Sequence, residues 1–300
     1  FGSSQKCSEL ANLASLSASL VRHLWPAVAR LGLPLSGPFY DSAAFGQIRL
    51  LMASFFFGCC ASSDVDTTLL VNSEETIKGT PPLVRAADEK KTSEVSRLLK
   101  SKANVNATSE EGEAALHKAA YWGQIDMVKL LIDAGADPKI QDLKGKTALR
   151  RAYDNPEIVE ILLQAGADVN EVDKQGRSTL HRSAENGHID VIKVLLPAKA
   201  NPNLRNSEDM TPLHEASNFG QVEALKMLIG AGGNVNATDE FNHTPLHFAA
   251  YAGNKDVAEL LVGAKADINV KNKEGETALM CASEGNKAPE VAAFLRSVKG

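Results

Sequence analysis

Four of the chain's seven histidines share one local setting: "AALHKAA" around His117, "STLHRSA" around His181, "TPLHEAS" around His214 and "TPLHFAA" around His247. Imidazole titrates near neutral pH, so a histidine next to a carboxylate, as in His214–Glu215, suits general acid–base work or metal ligation. The remaining sequence gives such chemistry little support. It holds no glycine-rich phosphate loop, no nucleophile elbow and no HExxH pair. Cys7, Cys59, Cys60 and Cys281 lack the spacing of a zinc module or a disulfide framework, which points to a reducing, intracellular setting. A catalytic centre is also not normally copied four times along one chain. The expectation is a non-enzyme with no cofactor and no metal.

The histidine spacing leads to the elements that position them. "PPLV" at 81–84, "AALH" at 114–117, "TALR" at 147–150, "STLH" at 178–181, "TPLH" at 211–214 and 244–247, and "TALM" at 277–280 mark seven units starting at 81, 114, 147, 178, 211, 244 and 277. Every step is 33 residues except the one from 147 to 178, which is 31. A second marker keeps the same phase: "KANVN" from 102, "GADPK" from 135, "GADVN" from 166, "KANPN" from 199, "GGNVN" from 232 and "KADIN" from 265. In the unit at 211, Thr211 suits a helix N-cap and Pro212 the first helical position. Gly220 ends that helix. Val222, Leu225, Met227 and Leu228 give the apolar residues of a second, and Gly232 and Gly233 end that one in turn. "NVNATDEFNH" then supplies an extended, hairpin-like excursion. Small pairs (Ala86–Ala87, Ala119–Ala120, Ala249–Ala250) let first helices approach closely, and Leu-Leu pairs such as Leu98–Leu99 and Leu260–Leu261 fill the space between units. One unit cannot bury its own apolar face, so stability depends on neighbours.

With period, "TPLH-x-A" and "GADVN" all in place, residues 81–300 resemble an ankyrin repeat array. The fold expected is therefore all-α: an ankyrin repeat solenoid of about seven helix-turn-helix-hairpin units behind a poorly structured N-terminal segment. The first unit lacks the histidine and carries Lys90, Lys91, Arg97 and Lys100, as a solvent-facing cap should. The last unit, with Gly285 shifted and Pro289 opening its second helix, reads as the C-terminal cap. The third unit is short by two residues at its helix–helix turn, which leaves its local geometry open. Stacked helices lie about 8–10 Å apart, whereas two imidazoles sharing a zinc need nitrogens about 3–4 Å apart. This spacing argues against a zinc bridge between units. The resemblance implies that each motif histidine hydrogen-bonds its own helix start and the neighbouring loop.

If shared positions build the scaffold, variable ones are free to bind. The resemblance implies contacts from hairpin tips and first helices, which line a concave surface. Tyr121, Trp122, Phe219 and Tyr251 fall near the ends of first helices, Phe241 falls at a hairpin tip, and Phe248 follows a motif histidine, where packing between units is expected. Tyr and Trp are enriched at binding hot spots. The first complete tip is acidic, with Glu110, Glu111 and Glu113. The middle units then carry Lys144, Lys146, Arg150, Arg151, Lys174, Arg177 and Arg182, and Glu208, Glu215, Glu240 and His243 follow. In "TPLHEASNFG", Glu215, Asn218 and Phe219 are the residues free of the scaffold pattern. This order suits a protein or peptide partner with an acidic stretch and a hydrophobic anchor. The array itself is expected to be a monomer.

Bulk properties agree with a soluble interaction module. A net charge of −5 argues against nucleic acid, whose binding draws on clustered positive charge. No apolar run reaches the ~18 residues of a spanning helix. Residues 1–51 are rich in Ser, Leu and Ala with only two acids, and read as an organellar transit segment or as leader sequence ahead of a start at Met52, the second being favoured. Residues 52–80 form a tail and linker, in which Phe55–Phe57 before Cys59 and Cys60 read either as an acylation site that would tether the chain to a membrane or as a disordered tail or the end of a transit sequence, the second being favoured. Cytoplasmic location is expected, with nuclear, organellar or membrane-tethered placement as alternatives. Three functions follow: a scaffold or adaptor, a regulatory or targeting subunit or fragment of a larger enzyme, and a membrane-tethered adaptor.

Overall fold

The computed structural model describes residues 79–283 and 288–299, so the expectations for residues 1–78, for Cys59 and Cys60 and for Gly285 lie outside the described residues. Among the described residues, seven helix pairs follow one another. They are α1 (Pro82–Asp88) and α2 (Thr92–Lys100), α3 (Ala115–Tyr121) and α4 (Ile125–Asp133), α5 (Ala148–Arg151) and α6 (Pro156–Gln164), and α7 (Thr179–Asn186) and α8 (Ile189–Leu195). Then come α9 (Pro212–Asn218) and α10 (Val222–Gly230), α11 (Pro245–Ala252) and α12 (Lys255–Gly263), and α13 (Ala278–Ser283) and α14 (Pro289–Lys299). Among the described residues, no helix is long and apolar enough to cross a membrane.

Each pair closes as its sequence dictates. Leu213, Ala216, Leu225 and Leu228 are fully buried, and Ala119, Ala120, Ala249 and Ala250 have no exposed surface. In the Leu-Leu pairs one leucine is buried and its neighbour half-buried against the core. Glycine at the end of a second helix turns the chain through the left-handed region at Gly135, Gly166 and Gly232. Lys102, Lys199 and Lys265 hold the same place with positive φ, at a cost of about 1 kcal/mol each. In the first unit Lys90, Lys91, Arg97 and Lys100 are exposed.

The excursions between units pair with one another rather than standing apart. Thr108 bridges Ala114 and Val172 bridges Ser178 in antiparallel fashion, which closes two of the hairpins. From tip to tip, backbone N–H groups of Leu143, Lys174, Ser207, Glu240 and Lys273 donate to carbonyls of Glu111, Lys144, Gln175, Glu208 and Phe241. Gly176 illustrates the constraint: φ is +71°, and a Cβ there would lie 2.9 Å from the Ser207 nitrogen. A second line of bonds comes from the "NVN" asparagines. Asn106, Asn170, Asn203 and Asn236 each accept, through Oδ1, a backbone N–H from the next unit at 2.7–2.8 Å. Lys139 occupies this position in the second unit, so that bond is missing there.

The third unit departs from its neighbours. Its missing two residues shorten α5 to four residues, against seven or eight in α3, α7, α9 and α11.

Candidate protein-binding face

The motif histidines sit at the base of this face and are fully engaged. His214 Nε2 lies 3.1 Å from the His243 carbonyl, and its Nδ1 lies 3.0 Å from the Thr211 backbone nitrogen and 2.9 Å from the Thr211 hydroxyl. A carbonyl only accepts, so Nε2 carries the proton and Nδ1 accepts from the N–H. His117, His181 and His247 repeat the geometry, reaching the carbonyls of Lys146, Met210 and Glu276 at 3.0, 3.1 and 3.2 Å. Burial lowers all four pKa values, to about 4 for His181 and His214. They are neutral struts between units, as the resemblance implied. Among the described residues no group of three or more His, Cys, Asp or Glu is placed to hold a metal.

Arg150 takes the histidine's position in the third unit and most of its work. Its N–H is capped by Thr147 Oγ1 at 3.3 Å, and its Nε donates to the Arg177 carbonyl at 3.3 Å. Its guanidinium meets Asp173 at 3.4 Å. Because Arg150 is only 7% exposed, the expectation that it stands open to a partner is corrected. Glu215 is corrected likewise: it is 5% exposed and faces Arg177 at 3.3 Å. Burial raises its pKa, against the pull of Arg177.

The arginines of the basic centre are neutralised from within. Arg151 binds Glu113 and, at 2.6 Å, Asp142. Arg177 binds Glu185, and Arg182 meets the same carboxylate at 3.0 Å. Burial would raise the Asp142 pKa, but N–H donation from Lys146 and Lys144 and the Arg151 contact outweigh it and hold it low. Lys146 is half-buried, and burial together with Arg150 and Arg151 lowers its pKa. Among the expected basic contacts, Lys144 and Lys174 at the hairpin tips remain exposed and without an ion pair among the described residues. The acidic partners Glu113, Asp142, Asp173 and Glu185 were not singled out for this role. Aligning the units would have brought Glu113, Lys146 and Arg177 into one row just before the motif, beside Lys118, Arg151, Arg182 and Glu215 in another.

The aromatic expectations land on the surface. Tyr121, Trp122, Phe219, Phe241 and Tyr251 are 39–52% exposed. Phe248 is half-buried edge-on to His214 and His243, at 5.5 and 5.8 Å. His243 is the hub of the sixth unit's patch, 6.1 Å from the Phe241 ring and 5.7 Å from that of Tyr251. Asn218 is half-buried, with its carbonyl accepting from Asn254. Leu143 and Met280 are exposed apolar residues of the same face that sequence reasoning passed over. Met280 stands at the histidine position of the last unit.

Stacked helix pairs, tip-to-tip ladder and repeated histidine strut together define an ankyrin-type array. The ankyrin repeat family model, in three copies, matches residues 49–142, 146–239 and 213–299, and the chain belongs to that family. It is similar to the Neurogenic locus Notch protein of Drosophila melanogaster (46% identity over 59 residues, 19% of this chain and 2% of that protein). Ankyrin repeat-containing protein P1E11.10 of Schizosaccharomyces pombe is 37% identical over 70 residues, 23% of this chain and 34% of that protein. E3 ubiquitin-protein ligase KEG of Arabidopsis thaliana is 41% identical over 76 residues, 25% of this chain and 5% of that protein. The chain thus spans about a third or less of these relatives' lengths. Among solved structures, the ankyrin repeat domain of Bcl-3 aligns with a TM-score of 0.63 and 26% identity, covering 73% of this chain and 99% of that one.

Proposed function

We propose that this protein is a non-catalytic interaction scaffold or adaptor that holds a protein or peptide partner against its first helices and hairpin tips. The observation that carries the reading is the exposure of five large aromatic side chains on that one face, at positions the repeat leaves free. Aromatic anchors lie at both ends, Tyr121 and Trp122 in the second unit and Phe219, Phe241 and Tyr251 in the fifth and sixth. The arginines between them are occupied by their own acids. An acidic stretch in the partner would therefore meet Lys144 and Lys174 at the tips. Location is cytoplasmic in this reading.

Affinity capture from cells tests it, using the wild-type chain and the paired variants Tyr121→Ala/Trp122→Ala and Phe241→Ala/Tyr251→Ala. Each pair removes exposed rings, so the fold should persist by circular dichroism while specific partners are lost. Unchanged capture by both pairs would overturn the reading. Lys144→Glu with Lys174→Glu should slow association several-fold at low salt, with little change in dissociation.

A second reading, a regulatory or substrate-targeting part of a larger enzyme or signalling assembly, draws on one observation: the relatives matched include very long proteins, an E3 ubiquitin-protein ligase among them. A full-length transcript encoding a catalytic domain in frame would favour it.

A further inference from the structure

A cleft lies at the junction of the third unit with the second. In the junction of the fourth and fifth units, the Gln221 side-chain amide donates to the Glu185 carbonyl at 3.2 Å. In the next, the Asn254 amide donates to the carbonyls of Ser217 and Asn218 at 2.9 and 3.1 Å. These amides close the C-terminal end of the preceding first helix. Asn155 holds the corresponding place in the third unit, two residues early. Its Oδ1 instead accepts the Ile158 N–H of its own helix at 3.1 Å. No donor among the described residues reaches the Tyr121 carbonyl, so α3 ends open with the partial negative charge of a helix C-terminus.

This end faces a cleft of ≈ 190 Å³ lined by Tyr121, Trp122, Gly123, Asp154 and Asn155. Asp154 is exposed and has no ion pair among the described residues. Tyr121 and Trp122 meet edge to face, with ring centres 4.9 Å apart. The indole already attracts one cation: the Lys90 ammonium, reaching over from the first unit, lies 4.1 Å from its ring centre. Lys90 is not one of the cleft's walls.

We propose that this cleft receives an arginine side chain of a protein partner. A guanidinium is planar and weakly hydrated, so it stacks on an aromatic wall while its N–H fork donates to a carboxylate. Asp154 supplies that carboxylate, the Tyr121 carbonyl supplies a second acceptor, and Tyr121 and Trp122 supply the wall. A lysine ammonium is a strongly hydrated point charge without the planar fork and fits less well. The Tyr121 carbonyl, which no side-chain amide caps here, is thus left to an incoming donor. The inference rests on the scaffold reading for its partner, but it concerns one side chain and is tested separately.

The test is titration of the ¹⁵N-labelled full chain with the peptide acetyl-Gly-Arg-Gly-amide and with its citrulline counterpart, which keeps the shape and drops the charge. Resonances of the Trp122 indole N–H and the Gly123 and Asn155 amides should shift saturably with arginine, and at least fivefold more weakly with citrulline. Asp154→Asn, exposed and dispensable to the fold, should weaken arginine binding at least threefold. Inserting two residues after Asp154 to restore the 33-residue step should abolish it. No shift with arginine, or equal shifts with both peptides, overturns the proposal. If the peptide fails while the aromatic-pair variants still lose partners, the cleft assignment falls and the scaffold reading stands. If the peptide binds but no partner is captured, only the scaffold reading falls.

Discussion

At the scale of single residues, one imidazole ties two backbone groups and a hydroxyl together, joining its own helix start to the loop ahead of the next unit. Replacing His214 by alanine leaves the Thr211 N–H and the His243 carbonyl without partners in a buried site. Each such loss costs about 1–3 kcal/mol. The expected destabilisation of His214→Ala is about 2–4 kcal/mol, read as a lower urea midpoint with an unchanged slope. Arg150→Met is a different kind of loss, since it strands Asp173 in a buried setting, and about 3–5 kcal/mol is expected. An effect under 1 kcal/mol would mean that Asp173 is solvated and that Arg150 is no strut. The histidine's role was legible because a fourfold repeat of one residue in one context leaves architecture as the economical explanation. Arg150's role was not. A lone arginine in a run of basic residues looks like solvated surface until its acid, 23 positions on, is brought alongside by stacking.

At the scale of elements, the seven units differ chiefly in how well each joint is closed. The boundaries of the helices follow from local chemistry, with threonine or serine ahead of the helix and glycine beyond it, so they could be placed from sequence. The tip-to-tip ladder could not, because it uses backbone groups alone and leaves no residue signature beyond the turn glycines. The third unit shows both sides of this. Its two-residue deficit is plain in the spacing, while the resulting four-residue helix and the open end of α3 are consequences of packing. Two outcomes follow for this joint. Lys139→Asn should restore the missing side-chain bond to the next unit's backbone and stabilise the array by about 0.5–1.5 kcal/mol, measured in urea. In hydrogen exchange, the amides of α5 should open at lower free energy than those of α7, α9 or α11. Equal protection would show that ion pairs compensate fully for the lost turn.

At the scale of the whole molecule, the struts form a series that acid attacks unevenly. His181 and His214 have folded pKa values near 4 because burial disfavours the imidazolium, against about 6.5 when unfolded. Between those values the unfolded chain binds more protons, so stability falls as pH drops from about 6.5 toward 4 and is level above that window. Each of the two contributes on the order of 3 kcal/mol over the window, with smaller shares in the same direction from His117 and His247. Glu215 and Glu171 act in the opposite sense, since burial raises their pKa values and so favours the fold at low pH, but they are two carboxyls against four imidazoles. The third unit has no such histidine: its strut is a guanidinium, which stays protonated throughout. Acid loosening should therefore begin in the fourth to sixth units, where His181, His214 and His247 stack in succession, and spare the joint made by Arg150. Hydrogen exchange at pH 7 and pH 5, corrected for intrinsic rates, should show protection falling first in α7, α9 and α11. A uniform loss across all units would mean that the array unfolds as one cooperative body and that its histidines are not the weak points.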